Sequence, residues 1–406
     1  MKVLFINERI PSPDKRGAAL VVFDSYIQRT LAAGHEVLHV VFSEAYDSLD
    51  SDWAEYLDRM GDFPDSHFLL EKVPLELRKT LVGKNRGSVR LSESIQSTMS
   101  SFGADVTVCF DIESLGFARL ASLIPSVVWL GDLAFQVHFH HFLEDTRRKP
   151  LERVKRFPRS LLVSCLWLLH YCRALQGIPT VIVCAKSSEL ALASAGLRSH
   201  YLPFPWPQLP NWNLPVDRFE APTFLFFGSL SGLGSKSGID FLAEEVLPAL
   251  KINSHLHGAR ILLAGFHSPE SLPAKLSDPA NVIPIGYVED LADIMARCHA
   301  VIFPIEVPVG NRTRIITAMS AGHAIIAHRN VALGNPDLID GKNCLLASSG
   351  QEFVHHMEAA FKGSAAVAEL GPSARETYLQ FFSPEVAGDA FIREMENANR
   401  KPERHP

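Results

Sequence analysis

A group of polar and charged residues lies between two apolar runs in the second half of the chain. Gly310 and Asn311 form a turn, and Arg312 and Arg314 flank Thr313 at the start of a predicted helix. This layout brings backbone N–H groups and fixed cations together at a helix N-terminus, where a phosphate binds. Two cations at that end oppose the helix dipole, and an arrangement that costs stability is most easily explained by a bound anion. The segment therefore predicts a phosphate site.

Three other positions could contact the same ligand. Lys236 follows a loop rich in glycine and serine and precedes a predicted helix, where its cation could contact the same anion; a solvated loop lysine is the alternative. Arg16 and Gly17 stand at the first strand–helix turn, where a glycine lets the backbone approach a bound group. Glu306 lies in the loop before the arginines and could contact hydroxyl groups, or else be an ordinary solvated carboxylate.

Polar residues also follow the predicted strand at residues 126–130. Asp132, His138, His140 and His141 come at the carboxyl end of that strand, where sites of parallel sheets lie. A three-histidine metal site is conceivable, but His140 and His141 are adjacent and the carboxylates lack a convincing ligand spacing. We therefore predict no metal site and treat Asp132 and His138 as candidates for contacting the substrate.

Composition narrows the class of protein. The net charge of −6 gives no general attraction to nucleic acid, so no nucleic-acid partner is expected. The six cysteines show neither a CxxC pair nor zinc spacing, which favours free thiols in a reducing compartment. The first apolar run is too short for a signal peptide, and no run is long enough to span a membrane. These features together predict a cytoplasmic protein.

The order of predicted elements indicates an α/β protein with two doubly wound, Rossmann-like domains facing a cleft. Residues 1–45 read as a strand, a helix and a second strand, which predicts a parallel sheet. We divide the chain into a first Rossmann-like domain at 1–205, a proline-rich linker at 206–220, a second Rossmann-like domain at 221–375, and a final segment at 376–406 whose helix crosses back. Further strands are predicted at 106–110, 126–130, 180–184, 224–227, 260–264, 282–284, 300–303 and 324–327. Helices are predicted at 53–60, 92–99, 239–250, 291–297, 314–320 and 384–399.

The segment 147–169 combines cations with an apolar stretch. Its first half carries a run of arginines and lysines, and its second half is rich in leucine and contains a tryptophan. Such a segment suits an anionic membrane surface, which would place the protein at the periphery of the inner membrane face. A core helix with a charged solvent face is the alternative.

The second half of the chain resembles glycosyltransferase family 4, a retaining family of the GT-B fold within glycosyl transferases group 1. The motifs that carry the resemblance are Gly228-Ser229-Leu230 with Lys236-Ser237-Gly238, Leu262-Leu263-Ala264-Gly265, Gly286-Tyr287-Val288, the ungapped segment from Pro304 to Ala327, and Gly341-Lys342-Asn343-Cys344-Leu345-Leu346. In the first half only Arg16-Gly17-Ala18 and Gly34-His35-Glu36-Val37 are similar. The resemblance covers residues 220–360 well and residues 1–45 moderately.

The resemblance implies a metal-independent transfer of a sugar, with retention, from a nucleotide-diphosphate sugar to a glycan or a lipid-linked acceptor. Gly228 and Ser229 would lie at the donor, while Lys236 and Arg314 would neutralise the leaving diphosphate. The departing phosphate would take the acceptor proton, because no side chain declares itself as a general base. No cofactor is implied beyond the nucleotide sugar, which is a co-substrate.

Two departures from the family pattern leave alternatives open. Val309 and Thr317 stand where the family commonly has glutamates, of which the second contacts the ribose; Thr317 would have to serve there instead. A degenerate binding protein without turnover is therefore an alternative, and a nucleotide-sugar epimerase is another. A dinucleotide oxidoreductase is disfavoured because neither first strand–helix turn carries G-x-G-x-x-G.

Overall fold

Two parallel β-sheets form the framework of the protein. The computed structural model describes residues 1–13, 17–61, 63–73, 91–147, 149–212, 217–229, 232–265, 276 and 281–400. In this part of the chain one sheet has seven strands in the order β3-β2-β1-β4-β5-β6-β7, and the other has six in the order β10-β9-β8-β11-β12-β13. Both orders reverse direction beside their first strand, between β1 and β4 and between β8 and β11, which is where doubly wound sheets bind ligands.

The amino-terminal sheet carries helices on both faces. Its strands are β1 (Lys2–Asn7), β2 (Glu36–Ser43), β3 (His67–Lys72), β4 (Val106–Phe110), β5 (Val127–Leu130), β6 (Thr180–Val183) and β7 (His200–Tyr201). Its helices are α1 (Ala18–Ala32), α2 (Leu49–Met60), α3 (Glu93–Phe102), α4 (Asp111–Leu120), α5 (Ala134–Asp145), α6 (Pro150–Leu175) and α7 (Lys186–Ser194).

The carboxy-terminal sheet follows the same plan. Its strands are β8 (Thr223–Phe227), β9 (Arg260–Ala264), β10 (Val282–Gly286), β11 (Ala300–Phe303), β12 (Ile325–His328) and β13 (Leu345–Ala347). Its helices are α8 (Leu233–Phe241), α9 (Leu247–Ile252), α10 (Leu291–Arg297), α11 (Thr313–Ser320), α12 (Gly350–Phe361), α13 (Ala365–Ala368) and α14 (Leu370–Phe381); α15 (Pro384–Asn399) follows them. A π-helical turn at Leu242–Val246 joins α8 to α9.

Continuous apolar runs explain the central strands. Every residue of β4, β8 and β11 is buried, as expected for parallel strands that are covered by helices on both faces. The predicted α/β fold with two Rossmann-like sheets is confirmed. The prediction lacked the short strands β3, β7 and β13 and the helices α4, α5, α7, α12, α13 and α14. The helix predicted at 239–250 starts earlier, at Leu233.

The chain crosses between the two sheets twice. The first crossing follows β7, where Trp206 donates its indole N–H to Thr317 Oγ1 at 2.9 Å. The second crossing precedes α15, which packs on α1: Phe391 stacks on Tyr26 at 4.0 Å between ring centroids. The predicted helix at 384–399 matches α15, and it lies against the amino-terminal sheet.

Candidate active site

The carboxyl ends of the two sheets meet at Asp132 and Gly310. Asp132 follows β5, and Gly310 lies in the loop between β11 and α11. A Cβ atom built on Gly310 would lie 2.2 Å from Asp132 Oδ1, and φ at Gly310 is 75°. Only glycine therefore allows this approach of the two domains without displacing the carboxylate. The turn predicted at Gly310 lies on the cleft.

Arg312 lies opposite the same carboxylate. Its Nη2 donates to the carbonyl oxygen of Val307 at 3.1 Å, and its guanidinium packs on Gly234, where an added Cβ would lie 2.9 Å from Cζ. Burial lowers the pKa of Arg312, and the nearby charge of Asp132 opposes that effect. For Asp132, enclosure between the domains raises the pKa although the side chain still reaches solvent in the cleft, and Arg312 lowers it. The two groups thus face each other across the interdomain cleft.

Arg314 has no carboxylate partner in the described part of the chain. Its Nη2 makes only a long contact of 3.5 Å to the carbonyl oxygen of Ser229, and its Cζ lies 5.7 Å from the centre of the Phe226 ring. Nη1 is buried without a hydrogen-bond partner there. Burial first, and then the charge of Arg312, lower the pKa of Arg314 to about 10. A buried cation beside a second cation is stabilised strongly when an anion binds.

The first turn of the carboxy-terminal sheet supplies the floor of this site. Gly228 directly follows β8 and has φ 120°, and a Cβ atom there would lie 3.0 Å from Arg314 Cζ. A Cβ atom on Gly265 would lie 2.0 Å from the Gly228 carbonyl oxygen, so these two loops touch through their backbones. Arg312, which precedes Thr313 at the start of α11, makes no capping hydrogen bond with its side chain. The structure thus brings Gly228, Ser229, Thr313 and the two arginines together around one helix N-terminus.

These features can be compared with known proteins. Residues 221–362 match the family model described as glycosyl transferases group 1. HepE from Anabaena, solved in complex with UDP-glucose, is 15% identical over 98% of this chain and 100% of its own, with a TM-score of 0.63. A glycosyltransferase from Rickettsia africae is 11% identical over 98% of each chain, with a TM-score of 0.66. The fold is GT-B. No curated protein sequence matches the chain.

Two other candidates of the GT-B cleft form ion pairs between the domains. Lys236 Nζ lies 2.6 Å from Asp145 Oδ1 at the end of α5, and this hydrogen bond is the main cause that lowers the pKa of Asp145. Glu306 Oε2 lies 2.6 Å from Arg147 Nη1. Each of these two side chains therefore has a charged partner, whereas the alternative interpretations placed it in solvent without one. Each connects α5, or the turn after it, to the carboxy-terminal sheet.

Asn311 and Thr317 form hydrogen bonds that connect distant segments of the fold. Asn311 Nδ2 donates to the Tyr201 hydroxyl at 3.3 Å, and that hydroxyl donates to Asp337 Oδ2 at 2.8 Å. The Thr317 hydroxyl donates to the carbonyl oxygen of Thr313 and accepts the Trp206 indole N–H. In this structure Thr317 therefore anchors the chain crossing, while the ribose contact stays a prediction.

The histidines of α5 are spread around the helix. His140 lies near Arg312, whose charge, together with the larger effect of burial, lowers the pKa of the ring. His138 Nε2 is buried without a hydrogen-bond partner in the described chain, and His141 lies near Asp145. Across the described residues no group of three histidine, cysteine or acidic side chains could hold a metal ion. Arg16 lies outside the described residues, and Gly17 directly precedes α1.

Sequence reasoning missed two polar residues at the end of the amino-terminal sheet. Asp111 follows β4 and has φ 66°, which is uncommon for a residue other than glycine. Asn7 ends β1; it is 1% exposed, and neither side-chain polar atom has a hydrogen-bond partner within the described chain. The available signal was position, because both residues directly follow buried runs of central parallel strands.

Proposed function

We propose that this protein is a retaining, metal-independent glycosyltransferase that moves a sugar from a nucleotide-diphosphate sugar to a glycan or lipid-linked acceptor. The observation that carries the proposal is the pair Arg312 and Arg314 at the N-terminus of α11, where Arg314 Nη1 is buried and has no hydrogen-bond partner among the described residues. A diphosphate would supply negative charge at this point. Its oxygens would accept hydrogen bonds from both guanidinium groups and from the backbone N–H groups of the helix.

The chemistry of such a transfer is a separation of charge. When the bond between the anomeric carbon and the diphosphate breaks, negative charge develops on the leaving oxygen. Arg314 would stabilise that charge at low cost, because it is already desolvated and held over Gly228. The match of residues 221–362 to glycosyl transferases group 1 supports this assignment. A uridine diphosphate donor is the first candidate, since HepE of the same fold was solved with UDP-glucose.

Lys236 would join the site by exchanging partners. Its ammonium group pairs with Asp145 across the cleft, and its side chain is 48% exposed. An exposed pair of this kind contributes about 0–1 kcal/mol, so a diphosphate could compete for the lysine at little cost. Glu306 in its pair with Arg147 would contribute to closing the domains rather than to binding donor hydroxyl groups.

The helix α6 supports a lipid-linked acceptor. Leu151, Val154, Leu162 and Leu166 are between 56% and 77% exposed, and their spacing places them along one face of the helix. The buried residues of α6 are instead Ser160, Tyr171, Ala174 and Leu175, on the opposite side. An exposed apolar face flanked by cations suits an anionic bilayer surface. No helix in the described part of the chain is long and apolar enough to cross a membrane.

A flotation assay tests this surface. Binding to vesicles that contain anionic phospholipid is expected to fall at least tenfold when Leu162 and Leu166 are both replaced by serine, with Leu190→Ser on α7 as the control for an exposed leucine. Equal binding of the wild type and the double variant would exclude α6 as the docking helix.

A thermal-shift screen tests the donor site. Wild-type protein is mixed with UDP, GDP, ADP and their common sugar conjugates without added metal. A nucleotide at about 100 times its Kd should stabilise the fold by roughly 2.7 kcal/mol. Arg314→Met should abolish that shift, whereas Arg297→Met, which removes an exposed ion pair with Asp293, should keep it. The absence of a shift with every nucleotide would refute the proposed function.

A binding protein without turnover is the second candidate. The observation behind it is that Thr317, at a position where the related family carries a glutamate, is engaged with the indole of Trp206. Such a protein would show the thermal shift but would release no nucleotide from any donor in the presence of acceptors. When transfer is observed, NMR of the product's anomeric proton would show whether the anomeric configuration of the sugar is retained.

A further inference from the structure

A cavity in the amino-terminal domain lies apart from the two arginines of α11. It has a volume of about 660 Å³ and is enclosed by the loops after β1 and β2 and by α2. Cavities of this size hold small-molecule ligands. Its wall combines aromatic rings with charged groups, and the residues that carry the argument are Phe42, Tyr46, Asp52, Arg59 and Phe117. The wall therefore offers apolar faces and hydrogen-bonding groups to one ligand.

Tyr46 supplies an aromatic surface whose position is fixed. Its hydroxyl donates to Asp52 Oδ2 at 3.1 Å, and the Ser48 hydroxyl donates to the same oxygen at 3.1 Å. Tyr46 is nevertheless 46% exposed. A ring that is fixed before the ligand arrives reduces the entropy that binding costs. A sugar ring, which has an apolar C–H face, can pack on such a surface.

Arg59 is held on the wall by a buried ion pair. Its Nη1 lies 2.6 Å from Asp24 Oδ1 in α1, and the side chain of that aspartate is only 3% exposed. Its Nη2 donates to the carbonyl oxygen of Pro11 at 3.0 Å. Each terminal nitrogen of a guanidinium carries two N–H groups, so Nη1 and Nη2 each keep one donor beyond these bonds. Donors on a group held in this way can bind neighbouring hydroxyl groups of a sugar.

The charges on the wall disfavour an anionic ligand. The described residues of the wall carry two guanidinium groups and four carboxylates, on Arg9, Arg59, Glu8, Glu44, Asp52 and Glu55. A phosphate would find no excess of positive charge here, in contrast to the start of α11. An alkyl chain is disfavoured as well, because it would cover charged groups without replacing their hydrogen bonds to water. A neutral ligand rich in hydroxyl groups fits both the aromatic and the charged parts of the wall.

The cavity lies on the same edge of the sheet as the interdomain cleft. In the strand order β2-β1-β4-β5, the loops after β1 and β2 are two and three strand intervals away from Asp132, which follows β5. At about 4.8 Å for each interval, the distance along this edge is roughly 10–14 Å.

Asp111, which follows β4, lies between the cavity and the cleft. It accepts the backbone N–H of Gly131, the residue before Asp132, at 2.9 Å. The charges of Glu8 and Arg9, which line the cavity, also act on Asp111. The cavity is therefore continuous with the edge that leads to the cleft. One sugar ring is too short to cover this distance, whereas two or three linked rings can.

We propose that this cavity binds an inner sugar ring of the acceptor, so that the protein extends an oligosaccharide of at least two rings. The proposal rests on the proposed function and deepens it by naming the acceptor class. The terminal ring would lie in the cleft beside Asp132, opposite a diphosphate at Arg312 and Arg314. The inner ring would pack on Tyr46, with its hydroxyl groups near Arg59. The cavity takes no part in the breaking of the sugar–phosphate bond.

Ligand binding without a nucleotide tests the cavity by itself. Nucleotide-free protein is mixed with methyl glycosides of one, two and three linked glucose, galactose or N-acetylglucosamine rings, and saturation-transfer NMR reports which rings contact the protein. Wild-type protein is expected to give signals with the longer glycosides and none with the single rings. Tyr46→Ala should lose these signals, whereas Tyr46→Phe, which keeps the ring, should retain them. Phe63→Ala is the matched control and should also retain them, because Phe63 is a 38% exposed aromatic residue at the opposite edge of the same sheet, before β3.

A turnover assay tests the acceptor class. With the donor that gives the thermal shift, wild-type kcat/KM should rise at least about tenfold from glycosides with one ring to glycosides with three, which corresponds to ~1.4 kcal/mol. In Tyr46→Ala this rise should be absent because KM for the long glycosides increases. The variant should keep the thermal shift with UDP, which shows that it is folded.

The outcomes separate this proposal from the proposed function. Equal kcat/KM for short and long glycosides, or unchanged signals in Tyr46→Ala, overturns the cavity as a glycan site and leaves the glycosyltransferase assignment intact. The same conclusion follows if UDP binds but no glycoside of the panel is bound or used. If glycosides bind through Tyr46 but no nucleotide binds, the proposed function and the acceptor role of the glycan fall together, and the cavity remains a glycan site.

Discussion

Replacing Asp111 by asparagine should stabilise the protein, and the gain should grow between about pH 4 and about pH 7. Burial moves the pKa of this carboxyl from 3.8 to about 7. At ~1.4 kcal/mol for each tenfold change in proton affinity, the shift corresponds to roughly 4 kcal/mol of unfavourable free energy for the charged form. Because the side chain is partly accessible to solvent, we expect about half of this value, ~2 kcal/mol.

The sign of the pH dependence of the unfolding free energy follows from proton binding. With a raised pKa the folded protein holds this proton over a range where the unfolded chain has released it. The free energy of unfolding of the wild type therefore decreases as pH rises from about 4 to about 7, and the contribution of Asp111 is constant above that range. Asparagine carries no titrating proton, keeps an oxygen for the Gly131 N–H, and tolerates the left-handed backbone.

Denaturant unfolding at several pH values measures this effect. The difference in unfolding free energy between Asp111→Asn and the wild type should grow by about 2 kcal/mol between pH ~4 and pH ~8. Asp105→Asn serves as the control, because Asp105 is exposed and accepts a similar backbone N–H. If the difference for Asp111→Asn is the same at every pH, the carboxyl is not held in a desolvated site.

Three other variants test the interdomain contacts. Asp145→Asn removes the partner of Lys236, so the Kd for UDP should decrease by up to about fivefold in a fluorescence titration; an unchanged or weaker affinity would show that the lysine does not reach the diphosphate. Trp206→Phe removes the hydrogen bond to Thr317 and should lower the free energy of unfolding by ~1 kcal/mol, measured by denaturant; no loss would mean that this contact does not hold the crossing. Gly310→Ala places a Cβ against the carboxylate opposite and should weaken UDP binding at least tenfold by calorimetry, whereas wild-type affinity would show that the domains need not approach so closely.

The sequence predicted the parts of the fold that depend on local pattern. β1, α1 and β2 followed from an apolar run, a helical spacing and Gly34, because each of these signals acts within a few residues. The arginines at α11 were predicted for the same reason, since a turn, two cations and a helix start are adjacent in the chain.

Contacts between distant segments were beyond such reasoning. Lys236 and Asp145 meet only because two domains close on each other, and no local pattern records that pairing. Asp111 was overlooked because its carboxylate gains its properties from burial and from Gly131, which follows the neighbouring strand β5. For the leucines of α6 the sequence left two interpretations open, a membrane-facing surface and a core helix, because the same apolar stripe fits both; the fold leaves these side chains exposed.

The last helix has a consequence for how the protein is made. Phe391 of α15 packs against Tyr26 and Phe110 in the core of the amino-terminal sheet, and Arg29 pairs with Asp389 at 2.6 Å. During synthesis these partners leave the ribosome hundreds of residues before α15 does. The aromatic core of the first domain thus stays open while the whole second domain is translated and begins to fold. The domain that is synthesised first is therefore completed only after the second domain has been translated.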